Sequence, residues 1–145
     1  MKKIICCILT AVLLLCTFCG CSNNKDSSSA PIDSGVYKLT STTETQGEYV
    51  FTPYLSLDTV PNSPNSFIFY YDSLSSYMPT GTYTFEDGKV VCNTSDGMFT
   101  YSFNIIDSNT VAFDAANSSA IIYIDPSFAG SAPITDGAVF ELVGE

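Results

Sequence analysis

The 145-residue chain has no histidine, no arginine and no tryptophan, and five lysines stand against fifteen carboxylates, a formal charge of −10. Each absence removes a chemistry. Without histidine there is no Ser–His or Cys–His nucleophile pair, and zinc loses its commonest ligand. With so few cations the surface repels phosphate backbones, which excludes nucleic acid as a partner. No D-x-D-x-D-G loop occurs that would hold calcium. Carboxylates could in principle be paired for glycoside chemistry as Asp87 with Asp96 or Asp107 with Asp114. However, Asp87, Asp96 and Asp107 lie in turns whose geometry already explains an aspartate, and Asp114 reads as an outward strand position. The chain is therefore expected to be non-enzymatic, with no metal and no cofactor. Its acidity would steer a cationic partner and equally serves solubility.

Cysteine is scarce where a fold would use it. The chain opens Met1-Lys2-Lys3, followed by an apolar run from Ile4 to Phe18 and then small, turn-forming residues. That run is shorter than the roughly 20 residues of a membrane span and has the layout of a secretory signal. Phe18-Cys19-Gly20-Cys21-Ser22 resembles the lipobox of bacterial lipoproteins, in which a small residue precedes the cysteine that receives a diacylglycerol. Gly20 before Cys21 fits, whereas Phe18 and Cys19 depart from the aliphatic and small residues usual at the two earlier positions. Residues 1–20 are thus expected to form a lipoprotein signal peptide, with Cys21 as the lipidated N-terminus. The Ser-rich stretch 21–32 reads as a flexible tether and residues 33–145 as one domain. Cys6, Cys7, Cys16 and Cys19 leave with the signal and Cys21 carries lipid. Cys92 alone remains in the domain, so no disulfide within the chain can support it. The expected location is the outer face of the bacterial cytoplasmic membrane, reached by covalent lipid.

What remains is strand after strand. Ser34 to Thr40 reads as a first strand. From Glu48 the alternation of Tyr49, Phe51, Leu55 and Leu57 gives a second, interrupted by Pro53 at a bulge or edge. Phe67, Phe69 and Tyr71 alternate in a third. Residues 72–80 have neither period and read as a compact loop. Gly81 to Ala115 reads as four antiparallel strands with three tight turns. Ala120 to Ile124 and Ala138 to Val143 complete the set, separated by a Pro/Gly/Ser-rich loop. Strands at this spacing indicate an all-β fold: an antiparallel meander barrel of about eight strands, with a β-sandwich as the alternative.

The ribbon from Gly81 to Ala115 also sets a register. Asp87-Gly88 and Asp96-Gly97 lie between alternating strands, a strong hairpin signal. The first pairs Phe85 with Val90 and Tyr83 with Cys92; the second pairs Cys92 with Tyr101 and Val90 with Phe103. A three-residue loop, Asp107-Ser108-Asn109 with Asn109 left-handed, pairs Ile105 with Val111 and Phe103 with Phe113, keeping the apolar side chains on one face. The expected buried face is Tyr83, Phe85, Val90, Cys92, Phe99, Tyr101, Phe103, Ile105, Val111 and Phe113. Thr84, Lys89, Asn93, Thr100, Ser102 and Asn104 form the wet face. Cys92, inward between two tyrosines, reads as an inert thiol.

Gly35-Val36-Tyr37-Lys38-Leu39, the segment Ser75 to Tyr83, the hairpins and Asp136-Gly137-Ala138-Val139-Phe140 resemble a family of small, mostly uncharacterised lipoproteins of Gram-positive bacteria. Similar modules form extracellular tails of membrane-embedded metallopeptidase-type sensors. The resemblance spans Ser34 to Leu142 and implies a lipocalin-like or META-like barrel; it supplies no catalytic residues. Two functions are weighed. The first is a surface interaction or accessory module for a membrane or cell-wall protein, acting as a monomer through the loop bearing Leu74, Tyr77 and Met78, where Tyr77 either anchors a partner or plugs the barrel. The second is a binder of a small apolar or aromatic ligand, with Tyr37, Tyr49, Tyr83 and Tyr101 lining the interior.

Mass spectrometry of the mature protein is expected to find a diacylglyceryl-modified N-terminal Cys21; a mature chain without that mass on Cys21 would refute the anchor.

Overall fold

In the computed structural model, residues 31–40, 51–124 and 133–144 are described; the segment expected to be a signal peptide, Cys21, nearly all of the expected tether and Tyr49 lie outside them. The strands are β1 (Gly35–Leu39), β2 (Tyr54–Leu57), β3 (Ser66–Tyr70), β4 (Thr80–Glu86), β5 (Lys89–Thr94), β6 (Thr100–Asp107), β7 (Thr110–Phe113) and β8 (Val139–Leu142). Each pairs antiparallel with its successor, and β8 returns to pair with β1, with Tyr37 opposite Leu142 and Leu39 opposite Phe140. The result is a closed eight-stranded meander barrel, not a sandwich. Closure leaves no free sheet edge for another chain to extend.

Period-two alternation places one residue set inside, and that set is mostly aromatic. Phe69 is fully buried and central. Its ring meets Tyr101 at 5.1 Å, Phe103 at 5.3 Å and Tyr71 at 5.3 Å, and Phe113 and Phe140 at 6.2 and 6.1 Å. Such ring pairs add about 0.5–1.5 kcal/mol each beyond their area burial. Leu55, Leu57, Phe67, Val90 and Val111 complete the filling and are wholly buried.

The register of the ribbon is as the pattern requires: Tyr83 opposite Cys92, Phe85 opposite Val90, Cys92 opposite Tyr101, Ile105 opposite Val111 and Phe103 opposite Phe113. Asp87 (φ 48°) and Gly88 (φ 75°) both adopt the left-handed backbone that a two-residue turn of this kind demands. Cys92 is wholly buried, and burial pushes its thiol well up, so it stays protonated and inert. Gly81 has a different reason: a Cβ there would stand 2.1 Å from the Asn93 carbonyl oxygen, so only glycine lets β4 and β5 approach.

Several expectations are corrected. The β6–β7 connection is a two-residue turn, Ser108-Asn109, with Asp107 opposite Thr110, and a register shift between Ile105 and Asp107 absorbs the extra residue. Asn109 is not among the residues with positive φ. At Asp96-Gly97 only Gly97 is left-handed (φ 70°), because its N–H closes a turn onto the Thr94 carbonyl and the loop runs on to Phe99. β2 begins only at Tyr54, after Pro53. Ala120–Ile124 is not a strand: Ile121 and Tyr123 turn inward and Ile122 and Ile124 outward, yet β8 already occupies the place beside β7. Phe85 is 38% exposed, since it lies at the hairpin tip beyond the filled interior, against Tyr83. Ser102 is buried rather than wet, because Ser118, just after the 3-10 turn Ala115–Asn117, covers it and accepts its backbone N–H at 2.8 Å. Asp114 is likewise buried: it caps that turn and pairs with Lys89 at 2.7 Å, and the Lys89 bond, ahead of the Asn117 bond, holds its carboxyl below the usual range.

Candidate functional site

Each connection reverses the chain, so the barrel has two unlike ends. One carries the N-terminal residues 31–34, the 58–65 loop, Asp87-Gly88, Ser108-Asn109 and the C-terminal residues. It is pinned shut by hydrogen bonds. Asp33 N–H donates to the Ser108 carbonyl at 2.8 Å, and the Tyr37 hydroxyl donates to the Asp33 and Ser108 carbonyls. The Tyr83 hydroxyl donates to Asp58, which also accepts the Ser66 N–H. Burial raises both phenols, Tyr37 to about 12. Ile32, 3% exposed, packs into the core cluster from the same segment.

Among the described residues the far end carries the connections β3–β4 (71–79) and β5–β6 (95–99), the flanks of β1–β2 (40 and 51–53) and the parts 114–124 and 133–138 of β7–β8. Below it, the rings of Tyr71, Tyr101 and Tyr123 close the barrel, with Tyr71 6.1 Å from Tyr101 and 6.0 Å from Tyr123. Above them the loops present Leu74, Tyr77, Met78, Met98, Ile122 and Ile124. These are six of the ten large apolar side chains exposed among the described residues; Met98, Ile122 and Ile124 are 68%, 73% and 63% exposed. Scattered single exposures need no explanation, but a group gathered on one end is a marker of interaction.

Two carboxylates hold the group together. Asp72 is 1% exposed and accepts the N–H of Leu74 at 2.9 Å and of Ile124 at 2.8 Å, so one side chain ties the β3–β4 loop to the β7–β8 connection. A buried carboxylate is tolerable only with its oxygens bonded, and both are. Asp96 plays the matching part on the surface. It accepts the Tyr77 hydroxyl at 2.8 Å, the Thr94 hydroxyl at 2.6 Å and the Met98 N–H at 3.0 Å. The Tyr77 ring rests 5.4 Å from Phe99. Tyr77 is thus fixed on one side, and the remainder, 37%, faces solvent.

The structure gathers Leu74, Tyr77 and Met78 as the sequence grouped them, and adds Met98, Ile122 and Ile124. It does not bring the tyrosines together as a ligand lining. Tyr37 and Tyr83 direct their hydroxyls to groups at the N-terminal end, whereas Tyr101 packs toward the far end on Phe69 and Phe99. The Tyr101 hydroxyl is buried without a hydrogen-bond partner, and burial raises it strongly. Three open clefts among the described residues, of about 260, 440 and 370 Å³, have none of these tyrosines in their lining. The paired carboxylates are also separated, with Asp87 and Asp107 at the N-terminal end and Asp96 at the other. Among the described residues no group of three or more His, Cys, Asp or Glu is placed to hold a metal ion.

No family model, curated protein or solved structure matches the chain.

The rim should be sensitive to acid. The Thr94 hydroxyl, the Met98 N–H and the Tyr77 hydroxyl hold Asp96 below its ordinary 3.8, so the order they confer is present above 3.8 and lost as pH falls through the depressed value. Tyr77 is raised above 10.0 by partial burial and by Asp96, so its contribution is lost only as pH rises beyond 10.0. The Met98 amide resonance is expected to hold steady between those limits and to move with a midpoint below 3.8. A midpoint at or above 3.8 would contradict the Asp96 contacts.

Proposed function

We propose that the protein is a lipid-anchored, non-enzymatic module on the outer face of a bacterial cytoplasmic membrane, engaging a membrane or cell-wall protein through the far-end rim. The observation that carries this reading is the grouping of Leu74, Tyr77, Met78, Met98, Ile122 and Ile124 on one end of a barrel whose interior is packed with rings. Aromatic and methionine side chains at the centre of a surface are the kinds that anchor protein partners. The Asp72 and Asp96 contacts fix the backbone at Leu74, Met98 and Ile124 and the Tyr77 hydroxyl before any partner arrives, which reduces the ordering cost of association.

Placement supports the same reading. The domain's N-terminal segment leaves from the opposite end, beside Ser108, so a lipid on Cys21 would tether the barrel with its rim free. The resemblance to small Gram-positive lipoproteins and to sensor tail modules points to the same location and to work by contact. A ligand cup is disfavoured by Phe69 and the five rings around it.

Site-specific photo-crosslinking in the native envelope tests the proposal. Benzoylphenylalanine in place of Met98 or Leu74 is expected to give discrete protein adducts, and in place of Ile106, an exposed residue near the other end, none. Equal adducts from all three positions, or none from the rim, would overturn it.

A further inference from the structure

We infer that the partner surface met by the rim is a protein segment with an apolar centre framed by lysine and arginine; this rests on the interaction-module reading above. Charge decides among the occupants an apolar patch can take. From Pro31 onward two lysines, Lys38 and Lys89, face fourteen carboxylates. Neither lysine belongs to the loops that build the rim: Lys38 is in β1, and Lys89 is in β5, paired with Asp114. The domain's net charge therefore sets the rim in a negative field, and Asp96, bonded to Tyr77 and to the Met98 N–H, accepts from three donors.

Such a surface meets another copy of itself, or an anionic bilayer, only against like-charge repulsion. It meets a cationic segment with attraction, and the apolar side chains then supply the desolvated centre. Two of the six side chains, Met78 and Met98, are unbranched, flexible thioethers that can repack around an irregular apolar face. An amphipathic helix with one apolar and one basic face has this chemistry, laid across the rim that bears Leu74, Met98 and Ile124.

Methionine supplies the reporter. The chain holds Met1, Met78 and Met98, so within the domain both methionine methyl groups stand on the rim. The full chain, labelled at the methionine methyls and held in a zwitterionic nanodisc, is titrated with an amphipathic Leu/Lys peptide and with its Leu/Glu counterpart. The Leu/Lys peptide is expected to shift both methyls, to weaken roughly tenfold as added salt screens the field, and to lose its effect on Met78 in a Met98→Ser/Ile122→Ser variant that keeps the barrel spectrum. The Leu/Glu peptide is expected to shift neither. Equal binding of both peptides, or binding of the Leu/Lys peptide that ignores salt or survives the double variant, overturns the cationic partner and leaves the interaction module standing. Silence toward both peptides also overturns it. Methyl shifts that follow protein concentration alone identify a second copy, and shifts with phosphatidylglycerol vesicles identify the bilayer; either overturns the inference. Failure of the rim crosslinks removes the underlying reading instead.

Discussion

Phe69 stands edge-on to Phe103, with their ring planes at 90°, while Tyr71, Tyr101, Phe113 and Phe140 surround it. The rest of the barrel depends on that packing. With no disulfide available to the domain, cohesion must come from buried area and ring geometry. The rings come from β3, from the residue that follows it, and from β6, β7 and β8, so one cluster joins strands distant in sequence and holds the closure of β8 onto β1. Cys92 and Gly81 serve the same end, one filling space beside Tyr83 and Tyr101, the other allowing β5 to lie close on β4.

The two ends of the ring-packed barrel differ in chemistry. At the N-terminal end, hydroxyls and carboxylates bond inward, from Tyr37 to backbone carbonyls and from Tyr83 to Asp58. At the far end, aspartates bond backbone N–H groups so that apolar side chains face out. Asp72 joins two connections far apart in sequence, and Asp96 orders the hairpin that presents Met98. Buried or well-bonded carboxylates thus hold apolar groups in an exposed position that burial alone would not favour.

Much of the scaffold was legible in the sequence because period two and turn chemistry are local signals. Asp87-Gly88 declared its turn, and the parity of Phe103, Ile105, Val111 and Phe113 declared their register. The loop at Asp107 did not, because an extra residue in the turn and a register shift within β6 give the same pairing. Ala120 to Ile124 carried a genuine alternation, but an extended segment crossing a barrel mouth alternates as a strand does. The rim was legible only in its β3–β4 part. Met98 and Ile124 join Tyr77 and Leu74 through Asp96 and Asp72, by bonds of which two span 19 and 52 residues, and no local pattern records such contacts. The outward parity of Ile122 and Ile124 is the one local signal of that exposure, and a strand shares it.

The central claim is that the interior is a scaffold of close-packed rings. Urea unfolding of Phe69→Ala against the wild type tests it most directly. A close-packed ring cluster predicts a loss of about 3–5 kcal/mol. A loss below about 1 kcal/mol would mean that the interior accommodates an absent ring at little cost, and would contradict the account.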